Sequence, residues 1–136
     1  MAEKLSGGCA CGSVRYEAGS AVLMMNCHCR DCQRATGSAY AAFMVVPKDT
    51  FQVTGVLTYY ECAGGSGKSI RRGFCATCGS PVAIEVEVAP NIVGLLAGSL
   101  DTPTEFSPTM DIFTACAQPW DHMSPDTRKV PGGISG

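Results

Sequence analysis

Short runs in which apolar and polar residues alternate, or in which Val, Ile, Phe, Tyr and Thr cluster, recur along the chain between Gly, Pro and Asp turns. A period of two puts successive side chains on opposite faces of a strand, whereas a helix face repeats every three to four residues. The pattern predicts strands over 13–18, 22–27, 39–46, 56–62, 69–74, 81–88, 91–98 and 111–115. Ile84-Glu85-Val86-Glu87-Val88 alternates as a half-exposed strand should, and Ala89-Pro90-Asn91 turns it into the next. Gly64-Gly65-Ser66-Gly67 has the composition of a hairpin tip. Helix signals are weak apart from one short segment, Arg30 to Thr36. The expected class is mainly β. From 121 to 136 the chain turns poor in apolar residues and rich in Pro and Gly, which predicts a surface tail rather than core.

At 136 residues the chain is one domain long, and its 46% hydrophobic content is enough for one real core. A formal charge of −2 lacks the basic footprint that phosphate backbones demand, so nucleic acid is not an expected partner. The longest apolar run, 39–46, is far short of the ~18 residues of a membrane span, and Met1 to Gly8 carries no apolar leader. These features predict a cytoplasmic protein without a membrane partner.

That setting changes how nine cysteines are read, because reducing compartments disfavour disulfides and an odd count leaves one thiol over. Seven of them fall into three clusters: Cys9-Ala10-Cys11-Gly12, Cys27-His28-Cys29-Arg30-Asp31-Cys32 and Cys75-Ala76-Thr77-Cys78-Gly79. Zinc in a structural site takes four ligands in a tetrahedron, and two short-spaced pairs from separate segments supply them. Cys9, Cys11, Cys75 and Cys78 are therefore expected to close one structural zinc site, with a redox Cys-x-x-Cys as the competing reading. Gly12 and Gly79 suit the tight turns that aim backbone N–H groups at the sulfurs. Clipping the 63 residues between Cys11 and Cys75 would remove unfolded-state entropy worth roughly 4 kcal/mol.

Cys27, Cys29 and Cys32 offer three thiolates in six residues, the protein-ligand count of a catalytic zinc with one open position. Three thiolates leave zinc at −1, a weak generator of hydroxide that still accepts an incoming thiolate. The alternative is a second structural zinc completed by another residue, His28 being the obvious candidate, although a residue between the ligands of Cys-x-Cys usually points away. Arg30, Arg34, Lys68, Arg71 and Arg72 lie close enough in sequence to offset the cluster charge. Cys62 and Cys116 are expected to be small buried hydrophobes. Trp120, between Pro119 and Asp121, is expected to close the core rather than bind substrate.

The three clusters in this order resemble the glutathione-dependent formaldehyde-activating enzyme family, also called the aldehyde-activating or centromere-protein-V-like domain. The resemblance is carried by Gly8-Cys9-Ala10-Cys11-Gly12-Ser13-Val14-Arg15-Tyr16, by 27–38 and by 72–80, with weaker matches in Gly98-Ser99-Leu100-Asp101 and 113–121. Cys116 stands where serine is expected. The resemblance implies a β-tent of packed antiparallel sheets with cysteine knuckles. It also implies two zinc ions per chain, a structural one on the first and third clusters and a catalytic one on the middle cluster. The implied reaction is a carbon–sulfur lyase type, in which glutathione and formaldehyde give S-hydroxymethylglutathione. A non-catalytic zinc-stabilised binding or scaffold module is the alternative, and a redox or metal-buffering role comes third.

Overall fold

The computed structural model of the chain describes residues 4–133. Its strands are β1 (Leu5–Gly8), β2 (Arg15–Ala18), β3 (Leu23–Cys27), β4 (Ala41–Pro47), β5 (Gln52–Thr54), β6 (Thr58–Ala63), β7 (Ser69–Phe74), β8 (Pro81–Val86), β9 (Ile92–Leu96), β10 (Met110–Ile112) and β11 (Arg128–Val130). The α-helix is α1 (Arg30–Thr36). Two sheets result, a small one ordered β1-β2-β5 and a large one ordered β11-β10-β3-β4-β9-β8-β7-β6. Pairing is antiparallel except at β10, which runs parallel to both β3 and β11.

The middle of the large sheet explains why 41–47 is an unbroken apolar run. A strand covered on both faces has no polar side to show. Met44 and Val46 of β4 point to one cluster with Leu5, Tyr16 and Ala18 from the small sheet and Val14 just before β2, joined by Val93 and Leu95 of β9. Ala41, Phe43 and Val45 point the opposite way, into a second cluster with Met110 and Ile112, against which Leu96 packs. Each core takes in cysteines: Cys9 and Cys75 belong to the first, Cys27 and Cys32 to the second.

Every expected strand has a counterpart, and the helix falls where the sequence placed it. The strand expected over 111–115 stops at Ile112, because Phe113 adopts a left-handed backbone (φ 53°) and a 3-10 turn follows. Three short strands, β1, β5 and β11, were not foreseen. The last lies within the expected surface tail of 121–136, whose residues 134–136 fall outside the described ones: most of 121–133 is exposed or half-buried, but β11 adds an edge strand to the large sheet and the Asp121 side chain is buried. Cys62 is only half-buried and Cys116 is exposed, so neither is the core thiol expected. Trp120 is 59% exposed and does not close the core. Among the described residues no helix is long and apolar enough to cross a membrane.

Candidate metal centres

The loop from β1 to β2 and the loop from β7 to β8 bring Cys9, Cys11, Cys75 and Cys78 together, with all four sulfurs within 4.8 Å of one another. Each loop turns through a glycine in the left-handed region, Gly12 at φ 83° and Gly79 at φ 79°, where a side chain would be strained. The turns aim donors at sulfur. The Val14 N–H lies 3.3 Å from the Cys9 sulfur, and the Ser13 hydroxyl sits 3.0 Å from that of Cys11 and 3.3 Å from that of Cys75. The hydroxyl and N–H of Ser80, with the N–H of Cys11, bring the Cys78 thiol down to about 5. Burial pushes Cys9 up, but the Val14 N–H and the neighbouring thiols and hydroxyl outweigh it and leave the thiol at about 7.

The donor set fits zinc on its own dimensions. A tetrahedron of sulfurs about 2.3 Å from its centre has an edge of about 3.8 Å, and the Cys9–Cys11 and Cys11–Cys75 sulfur separations are 3.7 and 3.8 Å.

The second group is built at one junction. Cys27 ends β3, Cys29 is the N-cap of α1, where its sulfur accepts from the Cys32 N–H at 3.3 Å, and Cys32 lies in the first turn. Their three sulfurs also lie within 4.8 Å of one another. Charge is shared unequally among them. Thiol hydrogen bonds from Cys27 and Cys32 draw Cys29 down to about 2, against the cost of burial, with help from the Cys32 N–H and Arg72. The resulting negative charge pushes Cys27 up. Cys32 is favoured by the Cys27 thiol but held at about 11 by the Cys29 sulfur and by burial. Negative charge is therefore favoured on Cys29 over Cys27 and Cys32, and a metal bound by all three sulfurs would displace the protons they still carry.

His28, between two of these cysteines, turns its ring away and buries it completely. Its Nε2 lies 2.6 Å from Asp111 Oδ1 on β10, its Nδ1 meets Asp121 Oδ2, and its ring packs 5.0 Å from that of Tyr40. Asp111 also accepts from Asn26 at 3.2 Å and from the Thr127 hydroxyl. Burial opposes its charge, but these donors and His28 hold the carboxyl below its usual range. The His28 backbone is fixed too, its N–H donating to Ile112 O at 3.0 Å and its carbonyl accepting from Gln33 Nε2 at 2.7 Å. Gln33 reaches across to the carbonyl of Cys116 at 3.1 Å and accepts from Gln118 at 3.0 Å.

Of the cations expected to offset the cluster, Arg72 is the one that reaches a sulfur among the described residues. Its two terminal nitrogens lie 3.8 and 4.0 Å from Cys32. Arg71 instead lies over the Tyr59 ring, 3.9 Å from its centre. Sequence reasoning thus named all seven sulfurs and Arg72. It missed Asp111, Asp121 and Gln33, whose one signal was a charge inside the apolar run Met110-Asp111-Ile112.

The sequence profile of the glutathione-dependent formaldehyde-activating enzyme family matches residues 4–116. No curated protein matches the chain. A crystal structure of a Rhodobacter sphaeroides protein has the same fold, with a TM-score of 0.58 and 24% identity over 71% of this chain and 87% of that one.

Proposed function

Because the chain belongs to the glutathione-dependent formaldehyde-activating enzyme family, we propose that it is a zinc-dependent carbon–sulfur lyase joining glutathione to formaldehyde or a related aldehyde. Cys9, Cys11, Cys75 and Cys78 hold a structural zinc in this reading, and Cys27, Cys29 and Cys32 a catalytic one. The observation that carries it is the donor count at the second cluster: three convergent sulfurs, with the neighbouring imidazole turned into a carboxylate pair instead of completing the set. Zinc bound there supplies a position for an external thiol and lowers that thiol's pKa.

The chain's own residues do the rest by holding and shielding. Asp111 and Asp121 lock the His28 ring, Gln33 and the Ile112 carbonyl lock its backbone, and so the flanking sulfurs keep their directions. The Arg72 guanidinium compensates the charge that accumulates on Cys32. Chemically, the thiol gives up its proton, its sulfur attacks the carbonyl carbon, a C–S bond forms and the C=O π pair moves to oxygen, which takes a proton. Nothing is oxidised or reduced.

The reading is tested by titrating glutathione into the zinc-loaded protein in buffers of different ionisation enthalpy. A free thiol is almost wholly protonated at pH 7, with a pKa of ~8.5, so capture as thiolate releases close to one proton. Binding without proton release, or no binding at millimolar glutathione, excludes thiol capture.

A further inference from the structure

A cavity of about 210 Å³ lies beside α1. Strand register builds its floor: Tyr60, Arg72 and Ile84 are direct cross-strand partners on β6, β7 and β8, so their side chains share one face of the sheet. Ala35 and Thr36 make the helix wall, three and four residues after Cys32, and therefore on the helix face that Cys32 occupies. Arg72 belongs to both places, lining the cavity and touching the Cys32 sulfur. Arg72 thus links the cavity to the three-sulfur cluster.

Its lining argues for what it takes. Apart from Arg72 no charged side chain lines it, and Phe74, Ile84 and Leu96 make its walls largely apolar. Glutathione, with two carboxylates and an ammonium, finds one cation there and no acidic partner. Formaldehyde has no substituent to bury. An apolar cavity of ~150 Å³ already admits benzene, so this one has room for a ring or a six-carbon chain. We propose that the cavity holds the apolar substituent of an aldehyde larger than formaldehyde, attached to the carbon that bonds the thiol sulfur. The proposal rests on the lyase reading above and names its substrate class.

S-methylglutathione and S-hexylglutathione separate the two ideas, because the alkyl group sits on sulfur where the aldehyde carbon would. Each buried methylene is worth about fourfold in affinity. Calorimetry on the zinc-loaded protein should therefore find the hexyl compound at least about tenfold tighter. Ala35→Phe, at an exposed helix position that faces the cavity, should cut that advantage below about threefold. Ala35→Leu should reduce it part of the way, and serves if the larger side chain disturbs folding. Equal affinities, no binding of either compound, or a hexyl advantage that both variants leave intact would overturn the proposal. Rates with glutathione plus hexanal or formaldehyde form the second arm, and a higher kcat/KM for hexanal supports the proposal. Turnover of formaldehyde without any hexyl preference removes the cavity's role and leaves the lyase. A hexyl preference without turnover of either aldehyde supports the cavity and removes the lyase reading.

Discussion

Asp111 shows how much of the second site depends on a residue that never touches sulfur. Its carboxylate is 1% exposed and is kept ionised by Thr127, His28 and Asn26. A carboxyl whose folded pKa lies below its unfolded value stabilises the fold fully above about pH 4. That stabilisation is lost as pH falls through the lowered folded value. Thermal melts from neutral pH downward should show an acid limb below about pH 4 that Asp111→Asn flattens. Asp111→Ala, which leaves His28 without its Nε2 partner, should cost about 1–3 kcal/mol at neutral pH. A melt unchanged by either substitution would separate His28 from the stability of the site. The seven sulfurs were legible because each cluster is local in sequence, whereas Asp111 and His28 are 83 residues apart. No spacing rule joins them.

Among elements, legibility followed length and apolar content. The strands β3, β4, β7, β8 and β9, each five residues or more, all announced themselves. β5 and β11 are three residues long, and β1 reads Leu-Ser-Gly-Gly, two of whose four positions have no side chain to pattern. Such strands exist because a neighbour supplies the other half of the hydrogen bonds, which is tertiary information. The same holds for the helix and the segment after β10. Gln33 ties α1 to the carbonyls of His28 and Cys116, and it is 4% exposed. Gln33→Ala should strand both carbonyls and destabilise by about 1–3 kcal/mol. Hydrogen exchange should accelerate over 113–121 more than in β7 or β8. Uniform acceleration would place Gln33 in general packing instead of this tie.

On the scale of the molecule the two cysteine groups do different mechanical jobs. Cys9, Cys11, Cys75 and Cys78 join the small sheet to the β7–β8 hairpin over a long stretch of chain, while Cys27, Cys29 and Cys32 close no loop beyond their own turn. The purified protein is expected to hold about two zinc ions, from one four-sulfur and one three-sulfur site. Cys75→Ser should lower both melting temperature and zinc content, by up to roughly 4 kcal/mol of loop-closure entropy. Cys29→Ser should lose one zinc and stay folded. Equal destabilisation by the two would make both sites structural and favour the scaffold over the enzyme.

The parallel placement of β10 between β3 and β11 has a consequence in time as well as space. A growing chain has made every ligand of the four-sulfur group once Cys78 is synthesised, and the antiparallel run from β3 to β9 once Leu96 is in place. All three sulfurs of the other group exist far earlier, by Cys32, yet the carboxylates that fix His28 arrive only with Asp111 and Asp121. Since a domain folds as a unit rather than strand by strand, the three sulfurs sit on a backbone without its His28 brace until β10 and Asp121 are made. The stretch from Met110 to Asp121 is thus the last-made part that the three-sulfur group needs to hold its shape.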